Sequence, residues 1–405
     1  MTTTKDLDPA IALNFKIHEM AWPDDPKLQH AMLDAPFKFG DCPMDCLQGI
    51  LNLARNASTI LRAPQFPLIP ATVPVIAIGS GPSLAFHVER LRQLQHKCLL
   101  IASLSAVRGL REAGIEPHVT TPLERTEDVM DWMPPCGDTM RFCGAPIVAR
   151  PVLDCFREHY YQPDNNALSL WGSLPSDRVI YFGSSTGTLG ISLACSITKG
   201  PIYLVGHDLA YDNGRSHWGP AQSAPVIHEG FAMGNNGEKL SSTWLWLRHL
   251  TMIEEFALQH GRMFNVNAVD KRGALIPNTH AGDLPDPASL PDFELPYSAP
   301  QPERLARWQS LAVQLPKSCR QAIRQFENAA CHDDLDIARA VKGANGSLLS
   351  YLLASVYVQL SYETVTRVIS EKNAFLWGKE ALVNVLRGSL GVMDEIASHG
   401  VKHVS

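Results

Sequence analysis

The chain has 405 residues, with 41 acidic against 35 basic side chains and a formal charge of −6. A hydrophobic fraction of 45% and a charged fraction of 19% exclude a largely disordered protein, because the apolar material offsets chain entropy. Mild acidity without basic tracts excludes a dedicated nucleic-acid binder, and the length predicts about two to three domains.

The opening stretch MTTTKDLDPAIALNFKIHEM mixes charges with isolated apolar residues. It has no basic segment followed by an apolar run and a small-residue cleavage site, so a cytoplasmic location is expected. Residues 1–70 read as a mostly helical region, with DCLQGILNLARNASTILRA at helical spacing before Pro64, Pro67, Pro70 and Pro74 break the pattern. Residues 71–285 change character. VPVIAIG, KCLLIASLS, HVTTPL, APIVA, PIYLVGHDLAY and RMFNVNA read as strands, and RVIYFGSSTGTLGISLACSI as strand, glycine-bearing loop and helix. GPSLAFHVERLRQLQ and AVRGLREAG are the helices between them, the second stopping at Gly114. Such alternation predicts an α/β, Rossmann-like, mainly parallel sheet covered on both faces.

From Asp283 to Pro302 six prolines mark a linker over 286–302, and residues 303–405 read as a helical domain. Gly343 to Tyr362 carries no charge, but Asn345, Ser347, Ser350, Ser355, Gln359 and Ser361 interrupt it. Leu349, Leu352, Leu353, Val356 and Leu360 recur at helical steps, which predicts a core helix and no membrane span. The nine cysteines are scattered. Cys42 and Cys46 find no second pair to complete a zinc set, so reduced thiols are expected. Asn56-Ala57-Ser58 is a sequon without a secretory route.

Three segments carry chemistry. Gly79-Ser80-Gly81-Pro82-Ser83-Leu84 falls between a strand and a helix, where small residues let the backbone approach an anion. The alternative is a tight turn with no ligand, since the spacing is neither a Walker loop nor GxGxxG. Gly183-Ser184-Ser185-Thr186-Gly187-Thr188 sits between a strand and a helix again. Gly206-His207-Asp208-Leu209-Ala210-Tyr211, with Asn213-Gly214 and His217-Trp218, unloads Asp, Tyr and two His at a strand end. Open α/β sheets bind ligands along that edge.

GSGPSL, GIEPHVTT, YLVGHDLAYDNGRSHWG, MGNNGEKLSSTWLWLRHLTMIEE and NVNAVDKRGALI together resemble the motility accessory factor glycosyltransferases. Their core relates to a hydroxymethylpterin diphosphokinase-like family and is similar to bacterial sialyltransferases that use CMP-activated nonulosonic acids. The likeness runs from about Val73 to Pro277. It implies transfer of a pseudaminic- or legionaminic-type sugar from its CMP conjugate to Ser or Thr of flagellin, supporting the bacterial flagellum, with inversion at the anomeric carbon. It places CMP against Gly79, Ser80, Gly81, Ser83, Ser185, Thr186 and Gly187. The asparagine of the second strand falls near Ser103, and the general-base histidine near Asn235, which takes no proton. Tyr211 matches one phosphate-holding tyrosine and His217 occupies the place of the other. Asp208, His207, His217 and His228 are then candidates for the base.

A DxD metal motif occurs only at Asp6-Leu7-Asp8 and Asp334-Leu335-Asp336, outside the core. A metal-independent site with no tightly bound cofactor is therefore expected. Arg125 is a candidate partner for the sugar carboxylate, although a surface ion pair explains it equally well. Two rival readings are an ATP- and Mg²⁺-dependent pterin diphosphokinase-like enzyme and a non-catalytic flagellin-binding chaperone. The sequence leaves the oligomeric state open.

Overall fold

The structure, a computed structural model, describes residues 43–131, 133, 140–165, 170, 172–181, 185–219, 230–328 and 371–402. Asp6, Asp8, Gly183, Ser184, His228, Asp334, Asp336 and the uncharged stretch Gly343–Tyr362 lie outside the described residues.

Eight parallel strands form one sheet: β1 Val75–Ile78, β2 Leu99–Ala102, β3 Val119–Thr120, β4 Arg141–Gly144, β5 Glu158–Tyr161, β6 Ile202–Val205, β9 Met263–Asn265 and β10 His280–Ala281. The spatial order is β10-β9-β6-β1-β2-β3-β4-β5, so the chain walks outward from β1 to β5 and then returns to the other side of β1. The two central pairings are in register, Val75 facing Leu99 on one side and Ile202 on the other. VIAI and LLIA are fully buried runs, as parallel strands covered on both faces require.

Alternate residues feed two cores. Ile76, Ile78, Leu100, Ala102 and Phe142 face one layer, with α1 Pro43–Ile60, α3 Leu104–Glu112 and the C-terminal helices α8 Glu303–Ala312, α9 Leu315–Asn328 and α10 Glu371–Lys402. Val75, Ala77, Leu99, Ile101, Cys143 and Leu204 face the other, against α5 Thr186–Ile197 and α6 Trp244–His260. The remaining short helices are α2 Val88–Leu94, α4 Arg150–Asp154 and α7 Val266–Val269. A separate antiparallel hairpin, β7 Gly230–Met233 and β8 Lys239–Ser242, turns through the MGNNG segment.

The strand reading needs correction at several points. The fourth strand is Arg141–Gly144, one segment before APIVA. Asn56 Nδ2 donates to the Pro146 and Val148 carbonyls (3.2 and 2.8 Å), and Asn52 Nδ2 to Ile147 (3.0 Å). Two side-chain amides of α1 thus take acceptors that a strand ladder would use, and Pro146 has no N–H to offer. Asn56 is fully buried in this role, so its side chain is closed to a glycan in the folded chain. Among the described residues of RVIYF, Ile180 alone makes a bridge, to Asp164. β5, the β7–β8 hairpin and β10 were not expected from the sequence.

The proline-rich strap lies along the surface without regular structure beyond one short turn at Pro287–Ser289. Phe293 N donates to His96 O (2.7 Å), and Lys97 pairs with Asp292 (2.7 Å). At its end Arg304 reaches into the core. Its guanidinium bonds Asp177 through both Nε and Nη2, donates to Ala63 O (2.7 Å) and lies over the Tyr161 ring. Both side chains are essentially fully buried (0% and 1% exposed), so the pair bolts α8 to the rest of the molecule. Cys98, Cys143, Cys155, Cys195 and Cys319 are buried free thiols, and Cys42 lies outside the described residues.

Candidate functional site

The reversal of strand order between β1 and β6 opens a crevice at their carboxyl ends, the place where open α/β sheets take ligands. The loop after β1 and the loop after β6 meet there. Gly79 N donates to Val205 O and Gly81 N to Gly206 O, both at 2.8 Å. The approach tolerates no side chain: a Cβ on Gly79 would sit 2.5 Å from Gly206 O. Gly206 itself has a φ of 69°, which favours glycine.

Asp208 sits at the centre of this junction. Its Oδ2 accepts from Ser83 N (2.9 Å) and its Oδ1 from Asn267 Nδ2 (3.0 Å), while Ser83 Oγ donates to Asn267 Oδ1 (3.0 Å). All three side chains are buried. Burial pushes the Asp208 carboxyl up to about 6, against the opposing pull of the Ser83 hydrogen bonds. Gly81 is packed against the same carboxylate, since a Cβ there would fall 1.9 Å from Oδ2. Both oxygens of Asp208 are therefore occupied in holding the GSGPS loop to the strand ends of β6 and β9. Asn267 and its place in this triad were not singled out from the sequence. The signal was available, because NVNA leaves a strand at the same sheet edge.

The loop after β2 joins from the other side. Ser103 begins α3 and is buried, its Oγ 3.4 Å from Ser105 Oγ, which donates to Ser80 Oγ (2.7 Å). Ser80 O accepts from Trp218 N (2.7 Å), which lays the His217-Trp218 turn across the GSGPS loop. The Trp218 ring rests on Gly109 of α3, so close that a Cβ would lie 2.8 Å from Cζ3. His217 Nδ1 bonds Ser216 Oγ (2.8 Å), and burial holds the ring below its usual 6.5.

Ser185 caps α5 through a reciprocal box. Its Oγ accepts from Thr188 N (3.2 Å) and Thr188 Oγ1 accepts from Ser185 N (3.1 Å). The Ser185 hydroxyl is thus engaged in the cap, and the backbone amides at Thr186 and Gly187 are what this helix start presents. Thr186 O accepts from Thr121 Oγ1 (2.9 Å), and Gly187 packs on the His207 ring. His207 is 6% exposed, hydrogen-bonded to the Ala77 backbone and pushed down to about 4 by burial.

Tyr211 is buried against Trp246, with ring centroids 4.8 Å apart, and lines a cleft of about 140 Å³ together with Ser83, Asp208, Glu238 and Lys271. Asn235 grips the opposite wall, its Nδ2 donating to the Arg272 and Ala274 carbonyls (2.6 and 3.0 Å). Arg125, the candidate partner for the sugar carboxylate with a surface ion pair as the alternative, is 5% exposed, and its carbonyl accepts from Asn52 of α1 (2.8 Å). Sequence reasoning overlooked Ser105, Asn267, Lys271 and Arg272. Among the described residues no group of three or more His, Cys, Asp or Glu is placed to hold a metal ion. No helix there is long and apolar enough to cross a membrane.

One similar solved structure is a MAf glycosyltransferase from Magnetospirillum magneticum AMB-1, at 16% identity and a TM-score of 0.49. The likeness covers 93% of this chain and 62% of that one. No curated protein matches the chain. Residues 51–214, which hold β1 to β6, the GSGPS loop and the Asp208–Tyr211 segment, match the family described as 6-hydroxymethylpterin diphosphokinase MptE-like, the core relationship that the motifs led us to expect.

Proposed function

We propose that the chain is a glycosyltransferase that moves a nonulosonic acid of pseudaminic or legionaminic type from its CMP conjugate to a Ser or Thr hydroxyl of flagellin. The observation that supports it is the convergence, at one switch point, of the GSGPS backbone, the amide end of α5 and the His217 turn. Such an arrangement suits a departing nucleotide phosphate.

In this reaction the acceptor oxygen bonds to the anomeric carbon as the bond from that carbon to the phosphate oxygen breaks. CMP leaves with the electron pair, and the hydroxyl proton goes to a base. His217 suits that task. Its ring is neutral at pH 7 because burial depresses its pKa, Nδ1 is steadied by Ser216, and Nε2 takes the proton. Asp208 is already tied on both oxygens and acts by positioning the loop. The Tyr211 hydroxyl and the α5 amides receive the phosphate charge, so turnover is expected without a divalent metal.

The matched family name suggests a second reading, diphosphate transfer to a pterin, which requires ATP and clustered Mg²⁺ ligands. The described residues offer no such cluster, which favours sugar transfer. The test is thermal unfolding with each nucleotide. CMP at about 100 times its Kd should stabilise by roughly 2.7 kcal/mol. Stabilisation by ATP with Mg²⁺ and none by CMP would overturn the proposal. Intact-mass measurement of flagellin after incubation with the enzyme and a CMP-nonulosonate separates the enzyme from a chaperone. Binding without added mass would refute transfer.

A further inference from the structure

A second cleft, of about 440 Å³, opens beyond the GSGPS turn, between the start of α2 and the end of α7. Phe86, His87 and Arg90 form one wall, and Asp270, Arg272 and Asp283 the other. The Arg272 guanidinium lies over the Phe86 ring, its Cζ 3.6 Å from the centroid. Stacking fixes the plane of the fork while leaving its N–H edges open. Among the described residues neither Arg90 nor Arg272 has an ion-pair partner within bonding distance, although two carboxylates share the cleft. His87 is 8% exposed and adds a buried Nε2 with no hydrogen bond. It stands 3.3 Å from Asp270 Oδ2 without the alignment of a bond.

Guanidinium groups without carboxylate partners, in a cleft that also holds Asp270 and Asp283, describe a ligand that carries both charge and hydroxyls. The forks match a carboxylate in two-point contact. Asp270 and Asp283 accept from hydroxyl or amide N–H groups, and the exposed Phe86 face covers an apolar patch of a sugar ring. Arg272 also borders the smaller cleft beside Ser83 and Asp208, so one side chain lines both spaces.

We propose that this cleft seats the carboxylated sugar of the donor, with Arg272 and Arg90 gripping its carboxylate while the nucleotide occupies the GSGPS side. The assignment rests on the glycosyltransferase reading and gives that carboxylate a partner, Arg125 being enclosed beneath α1.

Titration calorimetry of the full chain with CMP, CMP-N-acetylneuraminate, free N-acetylneuraminate and its methyl ester tests it. The conjugate should bind at least about tenfold tighter than CMP, in line with charge-assisted bonds to a carboxylate. Arg272→Ala and, independently, Arg90→Ala should remove that gain while leaving CMP affinity within about twofold. Arg272→Lys, which keeps charge but loses the fork, should fall between. The free acid should bind and the ester should not. Should both alanine variants weaken CMP and its conjugate equally, or acid and ester bind alike, the sugar site is overturned. If CMP fails to bind but the free acid binds through Arg272, the carboxylate site stands and the nucleotide reading falls.

Discussion

Replacing Asp208 by asparagine separates a loop-holding carboxylate from a catalytic one. The native carboxyl has risen from the usual 3.8 to about 6. Such a rise corresponds to about 3 kcal/mol against the ionised form at high pH. The native state binds the proton more tightly than the unfolded chain, so this group's contribution falls as pH climbs from the unfolded to the folded value. Roughly half of that total falls between pH 5 and pH 8. The Asp208→Asn side chain cannot ionise and escapes the loss. The new amide can also be accommodated. An Asn267 flip lets Oδ1 accept from the introduced Nδ2, while Ser83 Oγ turns to accept from the flipped amide. Urea unfolding of Asp208→Asn should therefore show stability rising relative to wild type by about 1 kcal/mol from pH 5 to pH 8. Sugar transfer should survive within about tenfold, since only geometry is disturbed. A flat difference across that range, or turnover reduced by about a thousandfold with the fold intact, would refute the tie and make Asp208 the base.

Arg304→Ala strands Asp177 as a buried charge and should cost about 3–5 kcal/mol in urea unfolding; a loss below about 1 kcal/mol would show the pair to be dispensable. Gly109→Ala improves helix propensity by about 1 kcal/mol yet drives a methyl into the Trp218 ring, so the melting temperature should hold or rise while turnover falls at least about tenfold. The opposite pairing, lower stability with normal turnover, would deny the turn a catalytic role. The kcat/KM profile should rise through a pKa below 6.5 and flatten by neutrality, with that limb missing in His217→Gln; a limb above 6.5 would remove His217 as the base.

Periodicity located the central strands because VIAI and LLIA are apolar on both faces, and the GSGPS loop followed from its place between strand and helix. APIVA misled because the same apolar run that suits a strand also suits a segment pinned by amides from α1, a partnership about ninety residues away. EHYY begins with polar residues at an edge and gave no strand signal. At the site, glycine and serine loops were legible by type, but the division of labour was not. Asp208 looked reactive in sequence and proves to be fully hydrogen-bonded, and Ser185 spends its hydroxyl on a helix cap. Arg125 and Arg272 are equivalent cations on paper. Only the fold buries one under α1 and stacks the other on Phe86 beside the crevice.

The back-to-back contact of Gly79 and Gly206 also limits how this crevice can diverge. Each glycine is closed by the other's carbonyl, with clashes of 2.5 and 2.6 Å in the two directions. No compensating substitution exists when both walls are main chain, so paired variants at these sites should never rescue one another. The width of the crevice floor is thereby frozen. Changes of ligand preference must instead come from the rim, at side chains such as Ser105, Arg90 and Arg272.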